Sequence, residues 1–368
     1  MIKYIKRVSD IGSQSLNLKF LDLFSGIGGF RFGMEMAGHH CVGFCEIDKF
    51  ARASYKAIHQ TKGEMEYHDV TKVSNEEIQT IGKIDVITGG FPCQAFSVAG
   101  KRRGFEDTRG ILFFEIMRFA AILQPKYLFL ENVRGLLSHD EGKTFEIMLQ
   151  TMDDLGYDVE WQLHNSKDYV AQNRERIFIV GHLRGTNTKP IFPFRRESEQ
   201  FGYKQIVNKK RIIFENDEVQ SGKEFFMKSR KNRYGILVAG RLPSKHQQSG
   251  RVYNPDGISP TLLTKQGGGQ GPKILLREDP KSPINNSSQS NLYIRNLTPL
   301  ECWRLQTFPD WAFLAAKFLS LDIAKEIISE GLNHYDCKFK QKTSNHQLYK
   351  QAGNSVTIQV IYEIAKRF

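Results

Sequence analysis

The stretch KFLDLFSGIGGFRFGMEMAGHHCVGFCEID, residues 19 to 48, decides the fold. Its first apolar run, KFLDLF (19 to 24), has the length of a buried strand and runs straight into Ser25-Gly26-Ile27-Gly28-Gly29. FRFGMEMAG then reads as a helix and HCVGFCEI (40 to 47) as a second strand. A strand, a glycine turn, a helix and a strand make a βαβ unit, whose two strands lie parallel. The alternation continues with a helix over KFARASYKAIHQ after Asp48, a strand over KIDVITGG (83 to 90), a helix over ILFFEIMRFAAILQ from Ile111 and a strand over YLFLENV (127 to 133). A helix over KTFEIMLQTMDDLG from Lys143, ending at Gly156, precedes two more strands, DVEWQL (158 to 163) and RIFIVGHL (176 to 183). The pattern predicts an α/β protein with a doubly wound, mostly parallel, Rossmann-like sheet.

Beyond about Lys189 the alternation gives way to irregular sequence, including TKQGGGQGP (264 to 272) and NNSSQSN (285 to 291). Residues 189 to 290 hold 19 Lys+Arg against 9 Asp+Glu, so this region carries most of the net charge of +12. A basic region beside a near-neutral one is what a polyanion-binding domain attached to a catalytic domain looks like; a solvated basic face is the blander alternative. We expect a smaller basic domain over 191–345, an amphipathic helix near Phe318 to Leu332, and a last helix in QAGNSVTIQVIYEIAKRF (351 to 368) that returns to the first domain. The first domain would then be 1–190, completed by 346–368. At 368 residues, 40% hydrophobic, the chain can bury a sizeable core. No run approaches the ~20 apolar residues of a membrane span, and MIKYIKRVSDIGSQ lacks an apolar signal core, so a cytoplasmic location is expected. Five cysteines form no CxxC pair and no metal-ligand cluster, which leaves a single cysteine free to be a nucleophile.

Three places invite chemistry. The glycine turn at 25 to 29 offers backbone N–H groups at a helix N-terminus, and Glu46, 20 residues after Gly26, ends the next strand where a carboxylate can accept from ribose hydroxyls. Asp69 sits where a third strand would end. A nucleoside-containing cofactor fits, although each acid alone is as well read as a solvated strand-end charge. In GGFPCQAFS, Cys93 follows Pro92 beyond a buried strand, where open α/β sheets place ligands. In LFLENV, Glu131 ends the following strand, and a thiol beside an acid able to protonate a base is a working pair.

DLFSGIGGF, GFPCQAFS, LENV, QNRERIF and QAGNSV, in that order, resemble the ordered motifs of the DNA (cytosine-5)-methyltransferases of bacterial restriction–modification systems, with the basic region between the last two. The resemblance spans essentially the whole chain. It implies S-adenosylmethionine as cofactor in preference to NAD, with Phe24, Gly26, Gly28, Glu46, Asp69, Pro92, Leu112, Asn354 and Ser355 matching positions that line its pocket. It implies that Cys93 adds to C6 of a flipped-out cytosine, that Glu131 holds and protonates N3, and that Arg176 together with Arg174 fixes O2. Arg103, in a Gly-rich basic loop with Lys101, Arg102 and Arg109, would close on DNA. QSGRVYNPDGISPTLLTKQGGG is similar to a target-recognition segment, with Arg251 and Thr261 touching the duplex and Gln248 filling the vacated stack. The implied partner is double-stranded DNA, with a restriction endonuclease acting on the same site without stable contact and the chain acting as a monomer. One departure stands out: Asp168-Tyr169-Val170-Ala171-Gln172 is one residue shorter than the family's Asp-Tyr-Gly-x-Pro-Gln, so the turn before Arg174 and Arg176 must differ. Two rivals remain, a tRNA cytosine methyltransferase of the same fold and a DNA-binding regulator that has lost catalysis.

Overall fold

The computed structural model describes residues 17–92, 111–194, 226–232, 235–242, 250–264, 271–277 and 292–368. Two compact units result. One runs to His164 and takes in Glu175–Arg195 and Val356–Phe368; the other comprises Asn165–Arg174 and Arg196–Ser355.

The first unit carries β1 (Lys19–Leu23), α1 (Gly29–Met36), β2 (His40–Cys45), α2 (Lys49–His59), β3 (Met65–Tyr67), α3 (Asn75–Thr80), β4 (Val86–Gly90), α4 (Ile111–Leu123), β5 (Tyr127–Val133), α5 (Lys143–Asp154), β6 (Tyr157–Asn165) and β7 (Glu175–Leu183). The strands form one sheet in the order β3-β2-β1-β4-β5-β7-β6. The pairs from β3 to β5 are parallel and β7 runs antiparallel to β5. Phe20, Leu21, Leu23, Phe44, Ile87, Leu128, Leu130 and Ile179 are fully buried. Strands covered on both faces read as unbroken apolar runs, and each such side chain contributes about 1.5–3 kcal/mol by burial. Asp22 is the exception within this run. It has no exposed surface, and it accepts hydrogen bonds from Thr88 Oγ1 on β4 (3.0 Å) and the Tyr55 hydroxyl on α2 (3.3 Å). Burial pushes its pKa up to about 7 against those bonds and the nearby Arg31 charge.

The second unit has its own sheet, which the irregular sequence did not announce. β8 (Phe226–Lys231), β9 (Leu237–Arg241), β10 (Arg251–Tyr253), β11 (Lys273–Arg277) and β12 (Leu292–Asn296) lie in the order β12-β11-β10-β9-β8. Only the β10–β11 pair is parallel. Four helices follow: α6 (Pro299–Leu305), α7 (Asp310–Phe318), α8 (Leu321–Ser329) and α9 (Asn345–Asn354). α6 opens on a reciprocal cap between Thr298 and Glu301, with Pro299 at its first position. The helix expected near Phe318 to Leu332 is α8; Leu319 ends the preceding α7 in a left-handed conformation (φ 50°) and the Ser320 hydroxyl caps α8.

The chain closes with α10 (Ile358–Ala365), which packs on α1 in the first unit, where the Ala365 carbonyl lies 3.0 Å from His39 Nε2. The expected boundaries shift accordingly. Residues 346 to 355 belong with the second unit, because Trp303 Nε1 and Gln306 Nε2 donate to the α9 carbonyls of Leu348 and Ala352. Asn165–Arg174 also belongs there, since Gln172 and Asn173 bond to Leu305, Ser259 and Thr261 of that unit. Among the described residues no helix is long and apolar enough to cross a membrane.

Candidate active site

Parallel pairing brings the carboxyl ends of the strands to one edge of the sheet. Leu23 lies opposite both Cys45 and Gly89, and Gly90 lies opposite Glu131, so the residues that follow these positions share that edge. The 20-residue spacing of Gly26 and Glu46 now has a structural cause. Gly26 N donates to Glu46 Oε2 (2.8 Å) and Asp48 N to Oε1 (2.7 Å), so the carboxylate clasps the glycine turn. Burial raises the Glu46 pKa, and those two bonds oppose the rise. Each oxygen keeps a lone pair for a ligand hydroxyl.

Three further features suit a nucleoside-containing ligand here. Gly26, at φ +56°, has open space where a Cβ would stand; the Ser25 hydroxyl is buried without a hydrogen-bond partner; and Ile47, beside Glu46, is 71% exposed. Ile47 is a residue the sequence reading missed, since an apolar side chain after a strand looks like core until its exposure is known. Phe24 takes a left-handed conformation (φ 52°) and rests partly buried on the core, as does Leu112 at the start of α4, while Pro92 is exposed. Asp69 spends Oδ1 on the Thr71 amide and hydroxyl, capping a short turn. Gly28 is required for a different reason from the one expected: a Cβ there would stand 2.1 Å from His59 Nε2, so helix packing already demands glycine at this position. Asn354 and Ser355 lie in the second unit.

Glu131 and Arg176 meet within the first unit. Glu131 on β5 is opposite Phe178 on β7, so Arg176, two residues before Phe178, shares its face as a diagonal neighbour. Arg176 Nε stands 2.9 Å from Glu131 Oε1, an ion pair between two side chains that are both largely buried. The approach is off the direction of a hydrogen bond, and Oε1 stays buried with its accepting capacity unused. An unmet buried acceptor costs about 1–3 kcal/mol, which marks it as a place for a ligand's donor. The next residue, Asn132, was passed over in the sequence reading. It is 1% exposed and its Nδ2 donates to Phe91 O (3.1 Å), fixing the chain two residues before Cys93. Cys93 itself, with Arg103, Gln248 and the basic loop residues Lys101, Arg102 and Arg109, lies outside the described residues.

Arg174, expected with Arg176 at O2, lies in the second unit. It is 3% exposed, and Nη2 donates to Ser355 O (2.6 Å) with Gly353 O at 3.4 Å. This guanidinium is directed at main-chain carbonyls. The shortened turn before it is closed by Asn165, whose Oδ1 accepts from the amides of Lys167 and Arg174. Thr261, expected on the duplex, donates its hydroxyl to Asn173 O (2.7 Å). Arg251 opens β10 with an exposed side chain.

Residues 18–368 match the model of the C-5 cytosine-specific DNA methylases. The type II methyltransferase M.HhaI of Haemophilus parahaemolyticus is 33% identical, over 96% of this chain and 94% of its own length. The orphan methyltransferase M.SPRI of Bacillus phage SPR is 29% identical, over 95% and 97%. Among solved structures, the S. pombe Dnmt2 methyltransferase superposes with a TM-score of 0.63 at 18% identity, covering 95% of this chain and 97% of that one. A putative DNA modification methyltransferase encoded within an E. coli prophage gives 0.61 at 21%, with the same coverage; at these identities the likeness concerns fold alone. With the family model matched over nearly its whole length and a type II relative at one-third identity, the chain belongs to the bacterial-type C-5 cytosine-specific DNA methylases and is a DNA (cytosine-5)-methyltransferase.

Proposed function

We propose that this enzyme methylates C5 of one cytosine within a specific site in double-stranded DNA, through a covalent adduct between Cys93 and C6 of a flipped-out base. Cytosine C5 is a poor nucleophile. Addition of the Cys93 thiolate to C6 places enamine-like density on C5, and later loss of the C5 proton to a base expels the thiol. Glu131 holds a proton at N3 as charge develops there, and Arg176 binds O2 and keeps the carboxyl oriented. S-adenosylmethionine supplies the methyl group as an electrophilic sulfonium. Glu46 would accept from its ribose hydroxyls, the 25 to 28 turn would pass close to it, and Ile47 would lie against its base; Phe24, Asp69, Pro92, Leu112, Asn354 and Ser355 complete the set by resemblance.

The single observation that carries this reading is the buried Glu131 Oε1, paired with Arg176 but left without a directed donor. We assign sequence choice to the basic segment 189 to 290, with Arg251 on base edges and Arg103 and Gln248 in the roles the resemblance gives them. The enzyme acts as a cytoplasmic monomer and protects DNA from a restriction endonuclease that cuts the same site. Bisulfite sequencing of plasmid DNA from cells expressing the chain tests this: one recurrent methylated cytosine context is expected with the wild type and none with Cys93→Ser. Methylation confined to tRNA, or absent from both nucleic acids, would overturn it.

A further inference from the structure

Residues 171 to 174 thread through the second unit as a strap bonded on two sides. Gln172 has no exposed surface; its Nε2 donates to Leu305 O (2.8 Å) and its Oε1 accepts from Leu262 N (3.2 Å). Ser259 N donates to Ala171 O and Asn173 N to Ser259 O, each at 2.7 Å, and the Thr261 hydroxyl closes on Asn173 O. On the other side, Arg174 reaches the carbonyls at the C-terminus of α9, where the last turn lacks intrahelical partners and a cation is favoured. Gly353, in that last turn, backs directly onto the recognition segment, because a Cβ there would stand 2.7 Å from the Leu263 carbonyl carbon and oxygen. The strap, residues 259 to 264 and residues 353 to 355 therefore form one buried junction.

We infer that Arg174 is a positioning residue for the Asn354-Ser355 turn, and that the recognition segment holds it in that position through Thr261 and Gln172. The inference rests on the reading above, in which that turn faces S-adenosylmethionine. A forked guanidinium on two carbonyls fixes the direction of the turn, which a single ammonium cannot do. A guanidinium so used, and nearly fully buried, does not reach a base. One consequence is unexpected for a side chain in a DNA-recognition segment: Thr261 influences cofactor affinity when no DNA is present.

The test is calorimetric titration of S-adenosylhomocysteine into the full chain without DNA, alongside steady-state kinetics on a duplex carrying the methylated site. Arg174→Lys should weaken binding by about tenfold or more, the fold-change of a lost charge-assisted bond. It should raise KM for S-adenosylmethionine by a similar factor and leave kcat at saturation within a few-fold. Thr261→Val should weaken binding by about two- to tenfold, with a melting temperature close to the wild type. Wild-type-like binding by Arg174→Lys, combined with a kcat loss of about a hundredfold or more, would overturn the assignment in favour of a base contact. If Arg174→Lys does not melt cooperatively, Thr261→Val decides, and an unchanged affinity overturns the inference. A wild type that methylates DNA while both variants bind normally sinks the inference alone, whereas a wild type that binds no S-adenosylhomocysteine sinks the cofactor reading with it.

Discussion

In the first unit, the polar groups at the strand ends keep valence to spare: Glu131 Oε1 has no directed donor, Ser25 Oγ has none, and Glu46 retains lone pairs beyond the two it uses. In the second unit, four buried polar side chains around residues 172 to 174, α6 and α9 bond to main chain: Gln172 to Leu262 and Leu305, Arg174 to Gly353 and Ser355, Trp303 to Leu348, Gln306 to Ala352. Two arginines separated only by Glu175 fall on opposite sides of this division. Buried polar groups bonded to main chain fix a backbone path, while one left open at the carboxyl edge of the sheet is available to a ligand. Residue type alone does not separate the two; the partners that each group already bonds do.

The contrast breaks most readily at Glu131. Glu131→Gln should lower kcat by about 10²- to 10⁴-fold, the usual scale for a general acid, and leave S-adenosylhomocysteine affinity unchanged by calorimetry. A lost affinity with an intact rate would make Glu131 a structural or cofactor residue. Asp22 sharpens the contrast, being a buried carboxyl of the first unit whose oxygens both accept from side chains of the core. With a folded pKa of about 7 against an ordinary value of 3.8, the native state keeps a proton that the unfolded chain has released, so stability falls as pH rises between about 4 and 7. Asp22→Asn removes that titration. The stability of the variant relative to the wild type should therefore rise from pH 5 to pH 8 by on the order of a few kcal/mol, read from melting curves. A pH-independent difference would mean that Asp22 is ionised in the folded enzyme.

Smaller effects belong to the exposed residues of the second unit, where valence is open to solvent. Arg251→Ala should reorder preference among duplex sites by roughly 1–3 kcal/mol at one position, measured by competition binding. Lys231→Ala, at an exposed end of β8, should weaken all duplexes alike and reduce the slope of log K against log salt by about one. If Lys231→Ala changed the ranking and Arg251→Ala did not, the two would have to exchange roles.

The first unit was largely legible in the sequence because its central strands β1, β4 and β5 are buried on both faces, and runs such as YLFLENV have no other reading at that length. The second sheet was not. β10 has three residues, and FMKSRK and LVAGR mix charge and glycine in short strands, so periodicity has nothing to accumulate over. Glu131 and Arg176 were legible as a pair only through family resemblance, since their meeting depends on β7 running antiparallel beside β5. The bond from Arg174 to Ser355 was not legible because nothing in QNRERIF distinguishes an arginine that meets substrate from one that reaches main chain about 180 residues away in sequence. Asn132 and Ile47 were overlooked for a similar reason: their work lies in a carbonyl contact and an exposed face, neither of which leaves a pattern along the chain.

The most direct test of the central claim is covalent trapping on duplex DNA carrying 5-fluorocytosine at the methylated position. Fluorine cannot leave C5 as a proton does, so the adduct between Cys93 and C6 should persist. With S-adenosylmethionine present, the wild type should give a protein–DNA species that survives denaturation, and Cys93→Ser should give none. An active wild type that leaves no adduct, or an adduct that forms equally well with Cys93→Ser, would contradict the mechanism.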